Sequence, residues 1–238
     1  MPAQALVDEH RQEIADIVAV AQADLVEQWS GVPIEDAERA KGAALGIVED
    51  VTQTYGALAA GAAADWYAEA RSEAGVRGRV KSRLSVPVIA AQIAPNVGWA
   101  VSPLFGAADE DKALKRLAAV TQKLVVNADR ATLLTNMRRD PTEVRWYRGT
   151  SAKCCAFCAM AASRGAVYRS QDTADFKPHN NCKCFPVPLW PGDAHELPSY
   201  YEDFTSEYAD ARRAAIAAGE RPTAKAILAH WRAATSRA

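Results

Sequence analysis

Every cysteine of the chain lies in one window, Lys153 to Trp190, which reads KCCAFCAMAASRGAVYRSQDTADFKPHNNCKCFPVPLW and also holds one of only four histidines. Taken from Cys155, the order is C-x2-C, a loop of twenty residues, then H-x2-C-x-C: Cys155, Cys158, His179, Cys182 and Cys184. Two thiolates two residues apart can grip one metal ion from a tight knuckle, and a second chelating pair brought round by a loop completes a tetrahedron. The pattern therefore predicts a closed, structural zinc site. Cys154 falls outside it and is expected to be a bystander.

Three other readings of the cysteines are open. They are buried thiols acting as small hydrophobes, a disulfide between the two pairs formed in an oxidising medium, or a redox-active C-x2-C. Clustered pairs in an odd total do not resemble a secreted disulfide framework, and a reducing compartment is expected. A catalytic zinc is disfavoured: PHNNCKC has no glutamate two residues past His179, and no proline precedes KCCAFC, so the deaminase pattern is missing. No G-x-S-x-G, G-x4-G-K-[ST] or H-E-x-x-H occurs either. WYRGT, Trp146 to Thr150, resembles the arginine-bearing strand of ADP-ribosyltransferases, but no E-x-E follows it. His10, His195 and His230 lie in amphipathic or loop contexts and read as surface or packing residues. The chain is expected not to be an enzyme.

A window with so few large apolar residues (Phe157, Val167, Tyr168, Phe176, Phe185) cannot build a core alone, so other elements must position it. The fold expected is mainly α: a helical domain over 1–140, a small α+β zinc-stapled subdomain over 141–192, and a helical tail over 193–238. Ile14, Ile17, Val18, Ala21 and Leu25 stripe one face of a first helix. A second, unusually long helix is expected to start at Pro33 and run to about Ala74. Its glycines (Gly42, Gly46, Gly56, Gly61) call for close packing or for a break near Gly56 or Gly61. Pro87, Pro95 and Pro103 predict short helices that start at prolines. Asp109 or Asp111 caps a helix carrying Leu114, Leu117, Val120, Leu124 and Met137, which Asp140-Pro141 stops. VRWYRG has strand character, AFCAMAASRG a short helix ended by Gly165, and AVY a strand, while CFPVPLWPG is too rich in proline for a helix.

Composition excludes little. With 28 Lys and Arg against 29 Asp and Glu, no global field drives the 238-residue chain to nucleic acid or membrane. No apolar run is long enough to span a bilayer, and the acidic N-terminal stretch does not read as a secretory signal. Local basic clusters stand out: Arg77, Arg79, Lys81 and Arg83 at alternate positions of a connector, and Arg138, Arg139, Arg145 and Arg148 near the cysteines. These are candidate contacts to nucleic acid.

The succession LVVNADRATLL, RDPTEVRWYR, CAFCAMAASRGAVYR, PHNNCKC and VPLW resembles the MuF-like minor head proteins of tailed phages, especially the form found in phages of actinobacteria. The resemblance implies a structural minor capsid protein, made in the host cytoplasm and held in the virion, inside the head at the portal. Its implied partners are the portal protein, the major capsid or scaffolding protein, and packaged DNA. The implied role is head morphogenesis or DNA packaging and delivery, with metal-type positions at Cys155, Cys158, His179, Cys182 and Cys184. Some members carry a fused protease or toxin domain, for which fewer than fifty residues remain after Trp190. The alternative is a zinc-stapled nucleic-acid-binding protein.

Overall fold

The computed structural model describes residues 2–78, 80–85, 90–106, 108–165, 168, 181–192, 197–235 and 237. The chain is mostly helical, and it divides into two compact units. His179, Arg79, His195, Val167 and Phe176 lie outside the described residues.

The first unit, Ala3–Asp140 together with Phe176–Lys183, contains four α-helices among the described residues: α1 (Gln4–Trp29), α2 (Ala37–Glu73), α3 (Ala90–Val101) and α4 (Glu110–Arg139). The stripe of α1 is buried as its spacing requires, through Ile14, Val18, Ala21 and Leu25. Helix α2 starts at Ala37 rather than at Pro33, because the Asp36 side chain accepts a hydrogen bond from the Arg39 N–H at 3.0 Å and so satisfies a donor the first turn leaves open. It is one continuous helix through Gly56 and Gly61. Gly56 faces α4 closely: a Cβ there would lie 3.6 Å from that of Ala128. Tight packing, not a break, is what that glycine serves. The other three glycines of α2 have open space around them, and nothing in the structure explains them.

Pro95 sits inside α3 rather than at its start. The helix is retained because Ile93, Val97, Ala100 and Val101 all enter the core, and the Asn96 amide donates to the Gln92 carbonyl at 2.7 Å. Pro103 does take the helix-starting position, in a short 3₁₀ turn, Ser102–Phe105, and Pro87 lies outside the described residues. Asp109 caps α4 through the Lys112 N–H.

Two buried polar groups tie this unit together. His10 Nε2 lies 2.8 Å from Asp129 Oδ1 and its ring stacks on Trp66, so the histidine read as an ordinary packing residue is half of an interior pair. Asp140 accepts from Tyr67 Oη and Arg71 Nε, both at 2.8 Å. Arg71 also donates to the carbonyls of Val76, Arg77 and Gly78, which fixes the start of the basic connector. Farther along, Asn136 brackets the Arg83 backbone (N–H to Oδ1 2.8 Å, Nδ2 to carbonyl 2.9 Å), and Thr132 takes the Ser85 N–H at 3.0 Å.

The second unit holds Pro141–Asp175 and Cys184–Ala238. It contains strand β1 (Arg145–Gly149), helix α5 (Ala156–Ala162), strand β2 (Phe185–Leu189), and helices α6 (Tyr200–Ala217) and α7 (Ala224–Ala234). The strands pair antiparallel, with Arg148 opposite Pro186 and Trp146 opposite Pro188. Prolines at alternate positions remove N–H donors from β2, which a two-stranded sheet made only of edge strands tolerates. The strand expected at AVY reduces, among the described residues, to one bridge from Tyr168 to Trp146, whose rings stack at 4.4 Å. Tyr200 and Tyr201 of α6 donate to the carbonyls of Thr150 and Arg148, both at 2.8 Å, so the tail helix holds the end of β1.

Candidate metal centre

The C-x2-C knuckle sits at the start of α5. Cys155 is the N-cap, with its sulfur 3.4 Å from the Cys158 N–H, so one turn of helix puts Cys158 on the inner face. Gly165 has φ +65°, a conformation open to glycine, and follows the end of that helix. From the other side, Cys184 leads directly into β2, and its sulfur lies 3.3 Å from that of Cys158. Cys182 is two residues upstream on the same short segment, and its carbonyl accepts from Arg130 Nη2 at 2.8 Å. The sulfurs of Cys158, Cys182 and Cys184 all lie within 4.8 Å of one another, and all three residues are buried.

Three buried soft donors converging on one point are suited to a thiophilic divalent metal. All five cysteines are free, so the chain has the thiols such a site needs. The geometry brings together three of the five predicted ligands. Cys155 stands at the mouth of the knuckle outside that close triad, and His179 falls outside the described residues. Cys154 is different: burial pushes its thiol up to about 11, against smaller lowering effects from Thr150 and Arg237. A group so reluctant to ionise is a poor ligand at neutral pH.

Arg148 is the residue that sequence reasoning misplaced. It was a candidate surface cation, yet it is only 4% exposed, its Nη1 is 2.9 Å from the Cys184 sulfur, and its guanidinium lies over the Phe157 ring at 5.8 Å. Strand alternation is a poor guide here, because Tyr147, on the face of exposed Arg145, is buried as well, so no local signal in VRWYRG marks Arg148. The other basic candidates fall where expected of surface residues, with Arg77, Lys81, Arg83, Arg138, Arg139 and Arg145 all exposed.

Fold and site together define a mainly helical protein with a small two-stranded sheet and a buried cysteine cluster that could hold a metal ion. The model of the VG15 protein family matches residues 1–211, and the chain belongs to that family of viral gene products; it is a phage protein. Neither the curated proteins nor the solved structures show a match to it. Among the described residues, no helix is long and apolar enough to cross a membrane.

Proposed function

We propose that this phage protein is a structural minor capsid component, portal-associated inside the head, whose second unit is stapled by one zinc ion. The observation that carries the reading is the match to a viral family across both units, together with the buried thiol triad at the positions of the C-x2-C and C-x-C motifs. With Cys155 or His179 as fourth ligand, as the motif spacing proposes, the site would be closed, stabilising a small unit and leaving no open coordination position for chemistry, which favours a structural role over an enzymatic one. The partners proposed are the portal protein and, next to it, capsid or scaffolding protein. Locating the chain in purified particles, by labelling or imaging, tests the assignment: it should co-purify with heads or portal rings in high salt. Recovery only from the host cytosol, with none in particles, would overturn it. Elemental analysis of the purified protein tests the zinc.

A second reading, contact with packaged DNA, is favoured by one specific observation. The basic connector is not a loose linker: Arg71, Asn136 and Thr132 pin its backbone, while Arg77, Lys81 and Arg83 remain exposed. Lys81 and Arg83 stand two residues apart on this pinned backbone, with Arg77 on the far side of the Gly78 bend, so three cations are offered to phosphates from one surface segment. Duplex binding through three such contacts should weaken with salt at a log–log slope of about −3. Reversal of all three charges should abolish that slope without changing the fold. A slope unaffected by the reversal would place DNA contact elsewhere.

A further inference from the structure

Burying a guanidinium is costly unless charge and hydrogen bonds replace its water. One of the groups that Arg148 meets there is a sulfur. Its Nη1 lies 2.9 Å from the Cys184 sulfur, close enough to donate a hydrogen bond to it. The side chain is also placed where both halves of the cysteine pattern meet. It lies over Phe157, inside the C-x2-C knuckle, and touches Cys184 of the C-x-C. The backbone beneath it is held as well, because the Arg148 carbonyl accepts from Tyr201 and Gly149, the next residue, is packed against Val187 of β2. Neither the side chain nor its strand is free to swing away.

A divalent ion bound by three or more thiolates is an anionic centre, and in a buried setting its excess negative charge opposes binding. We infer that Arg148 is the positioning residue of the metal centre: its N–H fixes the Cys184 sulfur toward the ion, and its charge offsets that of the thiolates. The inference rests on the metal reading proposed above. It also explains why a strongly basic residue occupies the inward face of a two-stranded sheet. A lysine could supply the charge but not the planar donor geometry, and an apolar residue neither.

Cobalt(II) titration of the full-length protein tests it, since cobalt reports thiolate ligation by its sulfur-to-metal charge-transfer band. Arg148→Met should bind cobalt about ten- to a hundredfold more weakly than the parent, the usual effect of removing a partner of a metal ligand. Its charge-transfer band should move to longer wavelength, because a sulfur that loses a hydrogen bond gives up its electrons more easily. Arg148→Lys should recover part of the affinity while still showing the band shift. Should Arg148→Met fail to fold, the lysine variant carries the test through its spectrum. An arginine that only packed would leave the band unmoved, and parental affinity with a parental band in both variants would overturn the inference while leaving the metal site intact. Absence of any thiolate–cobalt band in the parent would overturn the metal reading itself, and this inference with it.

Discussion

The two units of this chain are specified in opposite ways. In Ala3–Asp140 the instructions are spread thinly: dozens of apolar positions, each three or four residues from the next, bury one face of every helix against the others. In the second unit they are concentrated at a few points: a cysteine pair, a glycine that admits β2, a buried arginine and two tyrosines that grip one strand. A distributed design degrades gradually when one residue is changed. A concentrated one fails at a single position, and that contrast can be tested directly.

The sharpest break should come from removing the metal. Cys158→Ser or Cys184→Ser deletes a converging thiolate, and strong chelation removes the ion. Structural zinc contributes on the order of 10 kcal/mol to small domains, far more than a helix-core contact. Each treatment should leave the second unit protease-sensitive while the helical circular dichroism of the first persists; Cys154→Ser should be nearly silent. Leu124→Ala in the core of the helical unit, at a cost of about 2–5 kcal/mol, should lower its unfolding midpoint without changing metal content. Undiminished protease resistance after chelation would mean that the packing of Tyr147, Tyr201 and Phe204 suffices.

The helical unit has its own concentrated point in Asp140. Asp140→Ala leaves Arg71 buried without its carboxylate and also removes the acceptor of Tyr67. A cost of about 3–5 kcal/mol is expected from urea denaturation, comparable to the largest core truncation. A smaller loss, under about 1 kcal/mol, would show that the three backbone carbonyls on Arg71 compensate by themselves.

Next in size is the meeting of the strands. A Cβ at Gly149 would stand 2.5 Å from Val187 Cγ2 and 3.3 Å from the Phe185 carbonyl oxygen. Gly149→Ala must therefore push β1 from β2, at about 1–3 kcal/mol, and because β2 begins beside Cys184 the shift should also weaken metal binding. Gly46→Ala, in open space on α2, should instead stabilise that helix by roughly 0.5–1 kcal/mol. Thermal unfolding of the two variants puts the contrast on one scale.

The same contrast governs what was legible in the sequence. Periodicity reports burial at many residues at once, so α1 and α4 stood out, and cap chemistry pointed to Asp109. What periodicity does not encode is pairing at a distance. His10 meets Asp129 across 119 positions and Tyr67 meets Asp140 across 73, and neither partner is marked by local spacing. Pro33 is a weaker start signal for α2 than Asp36, whose side chain caps the helix through the Arg39 N–H. The prolines of the third helical segment misled because core burial by its apolar residues outweighs one lost hydrogen bond. At the cysteines, spacing fixes which thiols can reach one ion but not which side chains attend them, so Arg148 was assigned to the surface.

The smallest effect expected lies near the C-terminus, where Glu207 of α6 is tied both to α7 and to Arg237 beyond it. Arg237 Nε donates to Glu207 Oε2 at 2.8 Å and Trp231 Nε1 donates to the same oxygen at 2.7 Å. The hydrogen bond from Arg237, first, and that from Trp231 hold the Glu207 carboxyl below its usual value of 4.5, although partial burial works the other way. A carboxylate whose folded pKa is depressed contributes stability that is present in full above its unfolded value and is lost as pH falls through the folded one. The docking of α7 on α6 should thus be constant near neutrality and weaken only below about pH 4.5. Because the pair is partly solvated, the contribution is held to about 0.2–1 kcal/mol. Other carboxylates titrate in the same range, so the quantity to measure is the difference between the parent and Glu207→Gln. That difference should vanish in acid and reach its plateau above about pH 5, read from the indole N–H resonance of Trp231. A difference that grew toward acid would have the wrong sign for a stabilised carboxylate and would assign the α6–α7 contact to the burial of Trp231 and Ile227 alone.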